Sequence, residues 1–471
     1  MISIVARAAL SGLGQGREAT GVGKVGESAR VAIMRDAELE KGGLAKPLAA
    51  RVRLDASDED RATTILRRVL SAIASDLDAS RPQWRKERVG LALATSSGGM
   101  RSAEIFFDRF SKGAEISREV AANATYFAPL ALAMRDLGVD FSPATLVLTA
   151  CAASTIAIGI GTRWLEAGDC DLVLAGGFDA VSVFVASGFE VLRATTGEIP
   201  PKPFCAGRDG MSLGEAGALF ALARDANHAQ AFIAGFGASS DAVHLTAPDR
   251  TGDGLARAAE IALKNAEIDA ASIDLVSAHA TATQFNDAAE IKALARVLGS
   301  NEPTIVPLKA QLGHTLGAAG AIETMSCVDA MEACVLPASA SHGAVEPDLP
   351  ATLRAESAAG EPKVALKISA AFGGANAALV VTRDAPKKAS RRTHDVFVSR
   401  GAFVGAAPVV AALSSRTGIA QDKLARGDGL VRYAIAAVAA LEDACGSLRG
   451  AGVVVGHSLA TLETNYLYNA R

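Results

Sequence analysis

Apolar positions recur along this chain with two alternating periods. Over residues 60–77, Ile65, Val69, Ile73 and Leu77 fall on one helical face, with Ser57 and Asp60 ahead of them in the manner of a capping box. The segment RVGLALATSSGG (88–99) then predicts a strand that ends in a glycine turn. Leu146–Ala150 is an apolar run typical of a strand buried on both faces. A helix follows from about Ala153 to Ala167, where Gly168 can stop it, and DLVLAGG (171–177) is again a strand. The second half repeats the rhythm. It has a helix over 252–266, a strand at Ile273–Ala278, a helix at Asp287–Leu298 before Gly299, and a strand at Thr304–Val306. A helix over 317–334 and strands at Val364–Ala371 and Ala377–Thr382, around Gly373 and Gly374, complete it. This is α/β patterning, with central sheets under helical cover.

The texture changes at about residue 384. APKKASRRTHD is polar, basic and aperiodic, and reads as a linker over 384–394. Beyond it come VFVSRGAFVGAA (396–407), DGLVRYAIAAVAALEDAC (428–445) and GVVVGHSLATLETNY (452–466). They parallel ISIVARAALSGLG, the 60–77 helix and GLALATSSGGMRSAE near the start. The shared order suggests a partial second copy over 395–471 that lacks any counterpart of Leu146–Cys151. Chance likeness between Ala/Val-rich segments is the plainer alternative.

Composition narrows the class. Of 471 residues, 50% are hydrophobic and 21% charged, which describes a folded chain with much buried surface. A net charge of −4 points to neither nucleic acid nor an anionic membrane as partner. Six cysteines, without a CxxC pair, suggest neither zinc nor a disulfide framework and fit a reduced, cytoplasmic protein. The N-terminal MISIVARAALSGLG reads as a strand and not a signal. Residues 141–162 carry no charge, but Pro143, Thr149, Gly159 and Gly161 favour strand, turn and helix over a membrane span. GLGQG (12–16) lacks the spacing of a dinucleotide loop.

Three side chains stand where chemistry is expected. Cys151, in LVLTACAASTIAIG, lies between a buried strand and a helix, where unsatisfied N–H groups favour a thiolate and can hold an oxyanion. A packed structural cysteine is the bland alternative, and Cys170, Cys205, Cys327, Cys334 and Cys445 are read that way. His279, in LVSAHATATQFNDAAE, follows a strand at the edge where α/β folds bind ligands, with Thr281 and Thr283 offering hydroxyls to a ligand arm. His314, in PLKAQLGHTLGAAGAIE, also follows a strand, between Lys309 and Glu323. The small residues after it imply a close approach. Either histidine alone could be a hydrogen-bonded core residue; the shared placement strengthens the case. In AAFGGANAA, Gly373 and Gly374 allow a turn that can aim an N–H group into a site.

TACAAS, AHATAT with its following ND, LKAQLGHTLGAAGAIE, AFGGANA and PFCAGRDGMSLGEAGA resemble the motifs of the β-ketoacyl-acyl-carrier-protein synthases of the elongating Cys-His-His type. The likeness spans about 1–383. It implies a thiolase-like fold, with halves of roughly 1–233 and 234–383 layered αβαβα, and a homodimer or a heterodimer with a similar chain. It further implies that Cys151 takes an acyl chain from the phosphopantetheine thioester of an acyl carrier protein. His279 and His314 would hold the malonyl carbonyl during loss of carbon dioxide. The N–H groups of Cys151 and Phe372 would form the oxyanion hole, and Lys309 and Glu323 would tune His314. Thr281 and Thr283 would bond the pantetheine arm, and Phe372 would gate the pocket beside Gly373 and Gly374. No metal, nicotinamide or other cofactor is implied. Arg67 and Arg68 are candidates for carrier docking.

The chain departs from the pattern at Ala280, Ala282, Cys205 and Met211, where the family usually has Gly, Ser, an acid and an aromatic. Three other readings compete. A thiolase or chalcone-type synthase would lack the second histidine after Lys309. A chain-length-determining subunit would lack the cysteine. A cysteine hydrolase would have no use for a second histidine and a lysine.

Overall fold

The computed structural model describes residues 2–55, 60–386, 408–426 and 429–445. The chain forms two compact units, Met1–Ala389 and Ser390–Arg471. Ten strands form the continuous path of the first unit's main sheet: β1 (Ile2–Ser11), β2 (Val89–Ala94), β3 (Phe141–Val147), β4 (Leu172–Asp179), β5 (Ala216–Ala223), β6 (Ala231–Ser240), β7 (Leu275–Ser277), β8 (Thr304–Val306), β9 (Val364–Ala370) and β10 (Ala375–Thr382). Their order is β8-β7-β9-β10-β6-β1-β5-β4-β2-β3. The order is one pattern used twice. In β1-β5-β4-β2-β3 the first two pairings are antiparallel and the last two parallel. The same holds for β6-β10-β9-β7-β8. The copies meet where β1 lies antiparallel to β6.

Helices follow the duplication. α1 (Arg61–Ser80) comes after β1, and α4 (Asp253–Ala266) after β6. α2 (Ala153–Ala167) follows β3, and α7 (Ala319–Ala333) follows β8. Three cores stack between them. α1 packs on one face of the first half-sheet, and α4 and α5 (Gln284–Leu298) on the outer face of the second. α2 and α7 fill the middle with the inner faces of both. The result is the five-layer αβαβα arrangement. The two central helices touch directly: the Ser154 hydroxyl accepts from the Ala321 N–H. A Cβ added to Gly320 would stand 2.1 Å from the Thr155 hydroxyl. The close approach implied by the small residues after His314 is therefore made by α2.

Most elements lie where periodicity put them. The Asp60 side chain caps α1 by accepting from the Thr63 N–H, and Gly168 ends α2 with φ 79°. The strand before Cys151 differs. It begins at Phe141 and ends at Val147, and it occupies the sheet edge instead of a doubly buried position. Its polar positions, Ser142 and Thr145, and Pro143 belong to such an edge. GLGQG turns β1 back on itself as a short hairpin, Ser11 facing Gly14.

The second unit shows helices Val410–Thr417, Gln421–Arg426 and Gly429–Cys445, with Leu413, Leu424 and Ala436 packed together. The strands expected at 396–407 and 452–466, and most of the linker at 384–394, lie outside the described residues.

Candidate active site

Each half of the sheet ends in a tight turn that leads into a central helix. After β3, Ala150 takes φ 45° and opens the 3-10 turn Ala150–Ala152 that carries Cys151 into α2. After β8, the short helix α6 (Lys309–Leu312) leads to His314. Leu316 then takes φ 53° and opens the 3-10 turn Leu316–Ala318 into α7. The His314 backbone is fixed against a neighbouring segment, donating to the Ser212 carbonyl and accepting from Gly214. His279 sits beyond β7, where the Glu290 carboxylate accepts from the amides of His279 (2.5 Å) and Ala280 (2.8 Å).

These turns bring the three side chains together. His314 Nε2 and Cys151 Sγ share a hydrogen bond of 2.9 Å. The two imidazoles stand edge to face, with centroids 5.6 Å apart. All three residues are buried and line one cavity of about 520 Å³. Thr281, Thr283 and Phe372 line it too, and the two hydroxyls lie 2.9 Å apart. Phe372 is partly exposed and packs on Phe189 at 5.5 Å between centroids. In its turn, Gly373 and Gly374 take φ 86° and 79°. The N–H groups of Ala371, Gly373 and Gly374 donate to carbonyls. Among the described residues, the Phe372 N–H has no such acceptor.

Lys309 and Glu323 are buried and ion-paired at 2.5 Å. They touch one another, and of the two it is the Lys309 charge that acts on the His314 ring. Burial holds both imidazoles well below their ordinary value, and Lys309 is the next cause for each. Burial also pushes the Cys151 thiol up to about 12, with Lys309 opposing and Asp179 adding. The helix start was expected to favour a thiolate. Enclosure acts in the opposite direction.

Sequence reasoning missed three residues. Asp179, at the end of β4, accepts from both the Thr95 and Ser97 hydroxyls, from the amides of Ser96 and Ser97, and from the Gly317 amide. It thus ties the turn after β2 to the turn that follows His314. Glu290 braces the His279 turn. Lys367, on β9, is fully buried and pairs with Glu323 at 2.7 Å. A lone charge inside the apolar VALKISA was the available signal. Arg67 and Arg68 are not at the cavity: they pair with Asp136 and Asp55.

The departures have structural consequences. Ala280 and Ala282 take φ 48° and 58°, a region that favours glycine. Met211 lines the cavity. Cys205 leaves Arg208 to pair with Asp287, at 3.5 Å, and with Glu346. The donor atoms of Cys151, His279 and His314 lie within 4.8 Å of one another, a spacing that a metal ion could bridge. Lys309 and Lys367 both act on these rings, and their positive field opposes a second cation there.

A duplicated αβαβα fold with a cysteine at one helix start and a histidine at its twin defines an enzyme of the thiolase-like class, an acyltransferase. Residues 45–228 match the family model described as β-ketoacyl synthase, N-terminal domain, and residues 230–342 match its C-terminal domain. The ketoacyl synthase alpha subunit of tetracenomycin polyketide synthase from Streptomyces glaucescens is 30% identical over 356 residues, 70% of this chain and 82% of the relative. A 3-oxoacyl-[acyl-carrier-protein] synthase 2 from Rhizobium meliloti is 34% identical over 258 residues, covering 50% of this chain and 60% of its own length. The solved ishigamide ketosynthase/chain length factor superposes with a TM-score of 0.73 at 25% identity, over 82% of this chain and 99% of that one. The chain belongs to the β-ketoacyl synthase family, the carbon–carbon bond-forming enzymes of fatty-acid and polyketide synthesis. Among the described residues, no helix is long and apolar enough to cross a membrane.

Proposed function

We propose that Cys151 carries the growing acyl chain and that His279 and His314 serve the malonyl unit. The observation that supports this most is the 2.9 Å contact between His314 Nε2 and Cys151 Sγ, with the second imidazole alongside, in a cavity bordered by Thr281 and Thr283. In the first half-reaction the sulfur attacks the acyl thioester of a carrier's phosphopantetheine arm. A new S–C bond forms, the old one breaks, and the thiol proton passes by way of His314 to the departing pantetheine sulfur. Malonyl-carrier then enters, with Thr281 and Thr283 bonding the arm. Its carboxylate leaves as carbon dioxide, and the bonding electrons become an enolate whose oxygen accepts hydrogen bonds from the two imidazoles. The enolate carbon attacks the acyl-cysteine carbonyl, whose oxygen is held by the N–H groups of Cys151 and Phe372. The C–S bond breaks, and the released Cys151 sulfur takes up a proton. Lys309 and Glu323 tune His314, Phe372 beside Gly373 and Gly374 gates the entrance, and no metal or redox cofactor takes part.

A carrier protein as partner agrees with the name of the Rhizobium relative, and a paired chain with the ishigamide structure. The paired state has support in this chain as well: among the described residues β3 leaves one edge free, and Leu148 beside it is 45% exposed. In a heterodimer with a chain-length subunit, this chain is the partner that keeps the nucleophile, and residues 395–471 are a scaffolding remnant. The cysteine usage, with no disulfide framework, supports a cytoplasmic location. The test combines intact-mass measurement after incubation with acyl-carrier and carbon dioxide release from malonyl-carrier. Label on Cys170 or Cys205 in place of Cys151, or no carbon dioxide, refutes the assignment.

A further inference from the structure

Glu323 is held by two ammonium groups. Lys309, from α6, meets Oε1 at 2.5 Å, and Lys367, from β9, meets Oε2 at 2.7 Å. All three side chains are nearly or wholly buried. Lys367 also donates to the Ile368 carbonyl, and its strand position lies between Ser277 of β7 and Leu379 of β10. No role in the mechanism above uses it. One carboxylate facing one lysine would be neutral; the second lysine leaves this buried trio with a surplus positive charge.

We propose that Lys367 is a positioning residue that supplies, through Glu323, an uncompensated positive charge behind His279 and His314, favouring the enolate formed when malonyl-carrier loses carbon dioxide. The inference rests on the ketosynthase reading of the site. Titratable and charged groups surround the Cys151–His279–His314 centre: Cys151 itself before α2, Asp179 from β4, Glu290 from α5, Lys309 from α6, Glu323 from α7 and Lys367 from β9. Asp209 and Asp241 lie further out, on the cavity wall. Glu290 is committed to the amides of His279 and Ala280, and Asp179 to five donors. Neither stands against Lys367 as an ion-pair partner. Burial lowers Lys367 on balance, against the raising charges of Glu323 and, less, Glu290, and its charge is among the causes that lower both rings.

Lys367→Met keeps most of the length of the side chain and removes the charge. Acylation of Cys151 is expected to persist. The kcat for carbon dioxide release should fall about tenfold with KM for malonyl-carrier little changed, less than the 10²–10³-fold of a donor in direct contact. The ring titrations of His279 and His314, followed by NMR with labelled histidine, should move upward. The double variant Lys367→Met/Glu323→Gln restores the surplus charge through Lys309, and should recover both the ring titrations and part of the rate. A purely structural role predicts the opposite: a double variant worse than the single, with unmoved titrations. Should the single variant not fold, the double variant decides alone, and failure of both to fold makes the role structural and overturns the proposal. Wild-type enzyme that releases no carbon dioxide sinks the ketosynthase reading itself. Active wild type with an unaltered Lys367→Met variant sinks only this inference.

Discussion

The two halves of the first unit share one backbone plan and differ in the side chains they bring to the site. Both run their five strands in the same order and sense, and both end in a left-handed residue, a 3-10 turn and a central helix. At the first of these turns stands Cys151; just before the second stands His314. Equivalent turns, facing each other across α2 and α7, place a nucleophile and an imidazole within 2.9 Å. Duplication thus supplies the geometry, and divergence of single side chains supplies the roles. On the proposed roles, a pair of histidines would leave no thiol to load, and a pair of cysteines would leave the enolate one imidazole short.

The strongest way to break this asymmetry is Cys151→Ala. It should abolish acyl loading, read as complete loss of the acyl mass shift. The converse is His279→Ala, which should leave loading intact while carbon dioxide release falls about 10²–10³-fold, as for loss of one donor to a developing oxyanion. If both variants lost loading equally, the two functions would not be divided as proposed. A third variant tests the tie between the halves. Asp179→Asn turns an amide NH₂ towards some of the N–H donors from Ser96, Ser97 and Gly317, and should destabilise the fold by about 2–3 kcal/mol. A lowered denaturation midpoint at unchanged m-value would report it.

The layered architecture was legible because its central strands and helices are mostly apolar: Leu172–Asp179 and Ala153–Ala167 lie within a residue or two of their expected bounds. Edge strand β3 was misread because a strand that is half exposed carries Pro143 and polar positions where the pattern expects apolar ones. Cys151, His279 and His314 could be singled out since each lies in the connection that follows a strand, where side chains are free for chemistry. Lys367 was overlooked for the opposite reason: it sits inside a strand, and its partner comes from a helix distant in sequence. Asp179 was hidden likewise, because its five donors come from two other turns. A local pattern cannot show what a side chain meets from across the core.

The smallest expected effect distinguishes the two turns themselves. Ala150 and Leu316 hold matching left-handed conformations, φ 45° and 53°, and each carries a strain of about 1–2 kcal/mol relative to an ordinary helical backbone. They differ in what the side chain gains. Leu316 is 1% exposed and packs beside Met211 and Phe189, so removing it opens a cavity. Leu316→Gly should lose about 2–4 kcal/mol even after the strain is relieved. Ala150 is only half-buried and has one methyl to lose. Ala150→Gly trades that methyl and some unfolded-state entropy against the relieved strain, for a net gain of about 0.5–1 kcal/mol. Equilibrium denaturation of the pair should therefore give opposite signs at equivalent positions. Equal losses at both would mean that the Cys151 turn is held by packing as tightly as its twin, and that the backbone there carries no strain for glycine to release.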